Sequence, residues 1–278
     1  MNTGLSSHQI GIIGCGQLGR ALAAAFIDNG LPKENLLVSY GGNPATLEAI
    51  KKAGFGENIV ANREIGSKAT IIFSTVRPQS FQDLKKLDFP GSVMVVSCMA
   101  GISISSLKKM TGNVGADQLF RIMPSGPETI KAKKGIVAVY PPRQPLTGIL
   151  SDLGFRVYGM PDEERMHLFT AGVCLPAAIL AARRRNLPMD KAIHRISEEY
   201  PDFIDIYEWA IRVLPVFNSD HEQQEYLSGM ITQGGVTEAI IDRIHSGDQF
   251  EAALKKGVAR SRELAERALS LTIRISPV

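Results

Sequence analysis

The residues with the clearest chemical meaning are glycines. Gly14, Gly16 and Gly19 stand in the pattern GxGxxG, as Gly14-Cys15-Gly16-Gln17-Leu18-Gly19. The apolar run Gln9–Ile13 leads into it, and a helical pattern, Gln17–Asn29, leads out. Between a strand and a helix each glycine has a distinct role: Gly14 permits a tight turn, Gly16 lets a pyrophosphate approach the backbone, and Gly19 lets the helix pack close to the sheet. Amides at the helix start, at Gln17 and Leu18, then face the phosphates, with the macrodipole adding attraction. The expectation is a dinucleotide site. An NAD site usually carries an acid at the end of the second strand, to bind the ribose 2′-hydroxyl. That place reads Val38-Ser39-Tyr40-Gly41-Gly42-Asn43, and Glu34 lies before the strand. Ser39, Asn43 and the amides at the helix opening on Pro44 can receive a 2′-phosphate, although no Arg or Lys is there to pair with it. NADP(H) is therefore expected over NAD(H).

A second constellation is Thr232-Gln233-Gly234-Gly235-Val236-Thr237. It reads either as a plain helix start, with Thr237 in the first turn, or as a substrate loop. In the second reading the amides of Gly234 and Gly235 bind a carboxylate and the Thr237 hydroxyl orients a polar group. Neither constellation contains a His or a metal motif, and Cys15, Cys98 and Cys174 are too scattered for a CxxC. Metal chemistry is not expected, nor is a ketone dehydrogenase, which usually places a His or Lys as acid. Cys98, just past a strand end, reads as a semi-buried thiol and Trp209 as a helix-interface residue.

Composition narrows the class further. Thirty-one basic against 28 acidic residues give a net charge of +3, which does not suit a nucleic-acid binder. The most apolar stretch, Ala171–Ala182, has 12 residues and is too short to cross a bilayer. The opening MNTGLSSHQI does not read as a secretory signal, and three thiols suit a reducing cytosol, so a cytoplasmic location is expected.

The elements that must position these groups change character along the chain. Strands are predicted at Gln9–Ile13, Leu36–Ser39, Ala69–Thr75, Val93–Ser97, Leu119–Met123, Gly135–Tyr140 and Phe155–Tyr158. Helices are predicted between them at Gln17–Asn29, Pro44–Lys52, Gln79–Lys86, Ile104–Met110 and Pro145–Asp152. This is an α/β pattern with a mostly parallel sheet covered on both faces. After Pro161 only helices are predicted: Asp162–Ala171, Pro176–Asn186, Met189–Leu214, His221–Met230, Gly235–Ser246 and Asp248–Ile273. The Asp162-Glu163-Glu164 run reads as a charged first turn favourable to its helix dipole. The division expected is 1–161, a dinucleotide-binding domain of the Rossmann type, and 162–278, all-helical.

Read together, IGIIGCGQLGRALAAAF, STVRPQ, SCMAGIS, FRIMPSGPE, ITQGGVTEAI and GVARSRELAERAL resemble the pyrroline-5-carboxylate reductase family. Its patterns run close to GxGxMG, VKPQ, SxAAGI, RxMPNTP, SPGGTT and RSREL, in the same order, and the resemblance spans about residues 9 to 270. It implies an NAD(P)-binding domain, a helical domain that dimerises by interleaving helices, and reduction of 1-pyrroline-5-carboxylate to proline. Carried onto this chain, it implies cofactor-side loops at Val76, Arg77 and Pro78 and at Ala100 and Gly101, with Met123 and Pro124 near the nicotinamide. It also implies a substrate loop at Thr232, Gly234, Gly235 and Thr237, the threonine contacting the imine nitrogen. Arg77 replaces the family's Lys, Ser125-Gly126 its Asn-Thr, and Gly172-Val173-Cys174-Leu175-Pro176-Ala177 its SGSGPAY. Two alternatives stay open: a paralogue acting on another small imine or carbonyl, and a nucleotide-binding regulatory protein without turnover.

Overall fold

Short runs of β-branched and aliphatic residues form most of the strands, and glycine, proline or asparagine punctuates many of the helices between them. The computed structural model describes residues 4–77, 80, 84, 85 and 87–273, with side chains as far as 267. One seven-stranded sheet holds β1 (Ile10–Ile13), β2 (Leu36–Ser39), β3 (Ile71–Ser74), β4 (Met94–Ser97), β5 (Leu119–Pro124), β6 (Ile136–Tyr140) and β7 (Arg156–Gly159). Every predicted strand is present, with limits shifted by two residues at most. The spatial order is β2-β1-β3-β4-β5-β6-β7, and only the β5–β6 pair is antiparallel. The chain leaves β1 to one side for β2 and returns on the other for β3. β1 is thus the switch point, and its carboxyl end is where an open α/β sheet leaves a crevice for a ligand.

β1, β3 and β4 are buried along their whole length, which is why they read as continuous apolar runs and not as alternating ones. Helices α1 (Gln17–Asp28) and α6 (Leu146–Asp152) cover the face that carries Ile12, Phe73, Val96 and Val137. Phe26 of α1 meets Phe73 edge-on, with ring centroids 5.3 Å apart. The other face carries Ile13, Ile72, Val95 and Leu119 under α3 (Asn62–Lys68) and α4 (Ile104–Thr111). Helix α2 (Pro44–Lys52) keeps its predicted limits because Asn43 caps it and Pro44 opens it. Two short helices, α3 and α5 (Pro127–Lys131), were not expected; each buries a single isoleucine, too little for a periodic signal. The predicted helix Gln79–Lys86 falls largely on residues outside those described.

From Arg165 onward the described residues form helices and their connections only: α7 (Arg165–Gly172), α8 (Leu175–Arg184), α9 (Asp190–Glu199), α10 (Asp202–Val213), α11 (Asp220–Met230), α12 (Val236–His245) and α13 (Phe250–Ile273). The single helix expected over Met189–Leu214 is two. Tyr200 ends α9 ahead of Pro201, and Pro201 is the N-cap of α10, a position where its missing amide hydrogen costs no helical bond. No single described helix is long and apolar enough to cross a membrane.

The chain divides into two compact units, Met1–Glu163 with Ala265–Val278, and Glu164–Leu264. The acidic run sits at this division, and the reading of it as a first turn needs correction, because α7 begins only at Arg165. Glu163 instead serves the sheet unit. Its Oε1 accepts from Arg121 Nη1 at 2.6 Å and from the Ile104 amide, the first of α4, at 3.0 Å. Glu164 turns to Arg262 of α13.

Candidate active site

Backbone geometry builds the first loop. Gly14 has φ +91°, and a Cβ there would lie 2.6 Å from Val76 Cγ1 and 2.9 Å from the Val76 amide, so only glycine fits. At Gly19 a Cβ would lie 2.9 Å from Thr75 Oγ1 and 3.0 Å from the Gly14 carbonyl. At Gly16, by contrast, the nearest neighbour would be 3.9 Å away, which leaves that side of the turn open to a ligand. The Cys15 amide donates to Ser39 O at 2.6 Å and the Gly16 amide to Gly14 O at 2.6 Å. No side chain caps α1, so the amides of its first turn, at Gln17 and Leu18, remain for an anion. The cradle fits a dinucleotide pyrophosphate. Thr75, which sequence reasoning missed, locks it by donating to Gly14 O at 2.7 Å. A hydroxyl residue ending the strand beside β1 was the available signal.

Around this turn the parallel register aligns the strand ends that carry or precede several of the predicted cofactor-side residues. Ser39 and Ser74 both pair with Ile13, Ser97 pairs with Ser74, and Arg121 pairs with Ser97. Val76 packs beside Gly14, Arg77 is exposed, and Pro78 lies outside the described residues. Ala100 and Gly101 follow β4, and Met123 and Pro124 end β5 on the same edge. Ser125 is structural: it is buried, its Oγ accepts from the Ile136 amide at 3.0 Å, and it shares a hydrogen bond with Thr129.

The 2′-phosphate reading meets a sharper geometry. Asn43 Oδ1 accepts from the Thr46 amide at 3.2 Å and so is committed to capping α2. Ser39 is 3% exposed, and its Oγ has no hydrogen-bond partner. What is left for a phosphate at this strand end is the opening of α2, whose first turn carries no acid. Glu34 sits in the turn before β2, as expected from the sequence.

The second loop, in the helical unit, is held by side chains. Gly234, at φ +71°, donates its amide to Glu238 Oε2 at 2.6 Å, and its carbonyl accepts from Arg260 Nε at 2.8 Å and Nη2 at 2.6 Å. The Gly235 amide is taken by Thr232 O at 2.8 Å. The two glycine amides expected to bind a carboxylate are therefore committed. Gly235 is the N-cap of α12 and no side chain caps that helix, so its first-turn amides, at Val236 and Thr237, stand in their place. Thr237 is half-buried, and its Oγ1 donates to Cys174 Sγ at 3.2 Å. Thr232 is exposed. Glu238, Arg260 and Cys174 were not legible as members of this loop.

Burial pushes the thiols of Cys15 and Cys174 up to about 11, opposed by nearby Arg20 for the first and by the Thr237 hydroxyl for the second. Burial raises Cys98 still further. All three are free neutral thiols at physiological pH. His167 is buried and bonds Ser261 of α13 at 2.9 Å. No group of His, Cys, Asp or Glu among the described residues is arranged to hold a metal ion. Cavities of about 370 Å³ beside Pro188, Arg195 and Phe250, and about 330 Å³ beside Glu34, Leu37 and Asn58, contain none of the predicted site residues.

Comparison with known proteins agrees with this geometry. A family model described as NADP oxidoreductase, coenzyme F420-dependent, matches residues 9–101. Pyrroline-5-carboxylate reductase 2 of Macaca fascicularis is 30% identical over 158 residues, 52% of this chain and 49% of its own. The match thus spans about half the length of that relative. Pyrroline-5-carboxylate reductase of Haemophilus influenzae is 24% identical over 92% of this chain and 97% of its own. The crystal structure of Plasmodium falciparum pyrroline carboxylate reductase with NADP bound shares the fold, with a TM-score of 0.58 and 17% identity over 94% of this chain and 100% of that one. Sheet, switch point and glycine turn define the class as a Rossmann-type dinucleotide-binding fold, and its first 101 residues include the match to an NADP oxidoreductase family model. Among the relatives it resembles are pyrroline-5-carboxylate reductases, with 24% identity along nearly the full length of the Haemophilus influenzae protein.

Proposed function

We propose that the chain reduces the C=N bond of a small cyclic imine, 1-pyrroline-5-carboxylate, to the secondary amine proline, with NADP(H) preferred over NAD(H). The observation that carries this reading is a pair of uncapped helix starts. One, at α1, suits a pyrophosphate, and the other, at α12, suits a carboxylate beside the Thr237 hydroxyl.

A nicotinamide dinucleotide, when bound, supplies the hydride. Gly14, Gly16 and Gly19 keep the backbone low enough for its phosphates, and the amides of Gln17 and Leu18 bind them. The amides of Val236 and Thr237 hold the substrate carboxylate, and the Thr237 hydroxyl fixes the imine nitrogen. A protonated imine already attracts hydride, so a metal or a strongly tuned acid is not needed. The partner in this reading is a second copy of the chain, paired through the helical half. Val216, 91% exposed, and Ile204 supply apolar surface there. The three buried free thiols support a reducing, cytoplasmic setting.

A different imine or a carbonyl substrate is supported by one feature, the apolar, buried stretch Cys174–Ala182 leading into and along α8. Steady-state reduction of 1-pyrroline-5-carboxylate with NADPH and NADH tests the main reading. Turnover only with other imines or carbonyls selects the paralogue, and tight NADPH binding with no turnover selects a regulatory protein.

A further inference from the structure

Thr237 does not stand alone in its loop. Its hydroxyl is one end of a hydrogen-bond chain whose other end is fixed, and that end sets the direction of the whole. At the close of α7 the Cys174 amide donates to Ala171 O at 3.2 Å, and so does not take the Thr170 carbonyl. Cys174 Sγ donates to Thr170 O at 3.2 Å instead. A carbonyl oxygen only accepts, so the thiol proton is committed to it. The sulfur then has only lone pairs to offer, and Thr237 Oγ1, 3.2 Å away, donates its one proton to that sulfur. The thiol stays protonated throughout, because it is buried and lies far above its ordinary range.

We propose that Cys174 is a positioning residue that turns Thr237 into a hydrogen-bond acceptor toward the substrate, so that the site receives the imine already protonated. The inference rests on the imine-reduction reading of the same loop. An acceptor at Thr237 matches the N–H of a C=N–H⁺ group. It offers nothing to a neutral imine or a carbonyl oxygen, both of which need a donor. Hydride addition to the carbon of the cation breaks the C=N π bond, whose electron pair becomes the nitrogen lone pair. The product is the neutral amine, with no proton taken from Thr237.

Two ligands of one shape test the polarity without turnover. Proline presents an ammonium donor, and tetrahydrofuran-2-carboxylate presents an ether acceptor at the same place. With saturating NADP⁺, wild-type protein should bind proline at least about tenfold more tightly than the ether, in line with a hydrogen bond to a charged group. Cys174→Ala, which frees the Thr237 proton, should bring the ratio within about threefold. Cys174→Ser, which can donate to Thr170 O and accept from Thr237, should restore it. Ether binding as tight as proline, or an unchanged ratio in Cys174→Ala, overturns the proposal. Should neither ligand bind, the imine reading itself fails, and the polarity is read from the thiol directly. The infrared S–H stretch of Cys174, isolated as the difference from Cys174→Ala, should lie below that of a free thiol and shift in Thr237→Val. A free-thiol frequency overturns the proposal.

Discussion

The two glycine turns of this molecule look alike in sequence and are built in opposite ways. Gly14–Gly19 is made of backbone: a positive φ, two close approaches and an uncapped helix, with a single hydroxyl, Thr75, as its lock. The turn at Gly234–Thr237 is held by side chains that arrive from three places, Glu238 on its own helix, Arg260 on α13 and Cys174 ahead of α8. A backbone site is written in local glycines. A side-chain site is written across the chain, so a remote substitution can change its chemistry while its motif stays intact.

The largest expected effect breaks the first turn. Gly14→Ala puts a Cβ 2.6 Å from Val76 Cγ1 at φ +91°. Left-handed strain and overpacking together cost roughly 2–5 kcal/mol. NADPH affinity should fall about 100-fold or more, and the melting temperature should fall with it. Gly16→Ala sharpens the point, since its methyl meets no protein atom nearer than 3.9 Å. That variant should melt like wild type while losing NADPH affinity, as followed by fluorescence titration. Equal melting losses in both variants would show that Gly16 is also packed.

Next in size is the second turn. Thr237→Ala should lower kcat/KM for 1-pyrroline-5-carboxylate by roughly 10- to 100-fold, the loss expected for one hydrogen bond to a charged group. NADPH affinity should stay unchanged, and Thr237→Ser should keep most of the rate. If Thr237 merely starts a helix, Ala will instead lower the melting temperature and leave the rate per folded molecule alone.

What could be read in advance follows the same division. Most of the strands were legible because they are short apolar runs buried in a mostly parallel sheet, and α2 because Asn43 and Pro44 mark its start. α3 and α5 were not, with only Ile65 of NREIGSK and Ile130 of PETIK to bury among the large apolar side chains. The break at Tyr200-Pro201 was readable from the proline, yet the apolar period on both sides of it masked the stop. The first turn was legible through its glycines. The chain Thr170–Cys174–Thr237 was not, because no local pattern links residues 63 positions apart. Glu163 was misassigned for the same reason: its partner Arg121 lies 42 positions away.

A smaller effect comes from the thiol beneath each turn. Cys15 and Cys174 hold their protons to about pH 11 in the folded chain, against an ordinary value of 9.0. Between those values the unfolded chain has lost protons that the folded chain keeps. Stability is therefore complete below pH 9 and declines as pH rises toward 11. Each thiol contributes about 1–3 kcal/mol to that decline. Melting curves from pH 8 to 11 should show the drop, and the Cys15→Ala, Cys174→Ala double variant should lessen it, the still more strongly raised Cys98 supplying the remainder. An equally steep drop in the double variant would assign it to other groups.

The smallest expected effect is the choice of dinucleotide, and it tests how far a backbone site can discriminate. At the end of β2 there is no acid to bind a ribose hydroxyl, Asn43 is spent on its cap, and Ser39 is buried. Recognition of a 2′-phosphate then falls to the opening of α2, which attracts an anion without the directional grip of an arginine. NADPH should bind more tightly than NADH by less than about tenfold, or 1.4 kcal/mol. A preference for NADH beyond that would overturn the NADP(H) reading. Gly41 offers a way to move the balance, since a Cβ there meets nothing within 4 Å. Gly41→Asp should place a carboxylate where it can accept from the ribose hydroxyls of NADH and repel a 2′-phosphate. Titration of both dinucleotides against this variant should show NADH favoured by tenfold or more, with the melting temperature unmoved. If the ratio instead stays at its wild-type value, the strand end does not face the adenosine ribose, and the preference must be set elsewhere along the sheet edge.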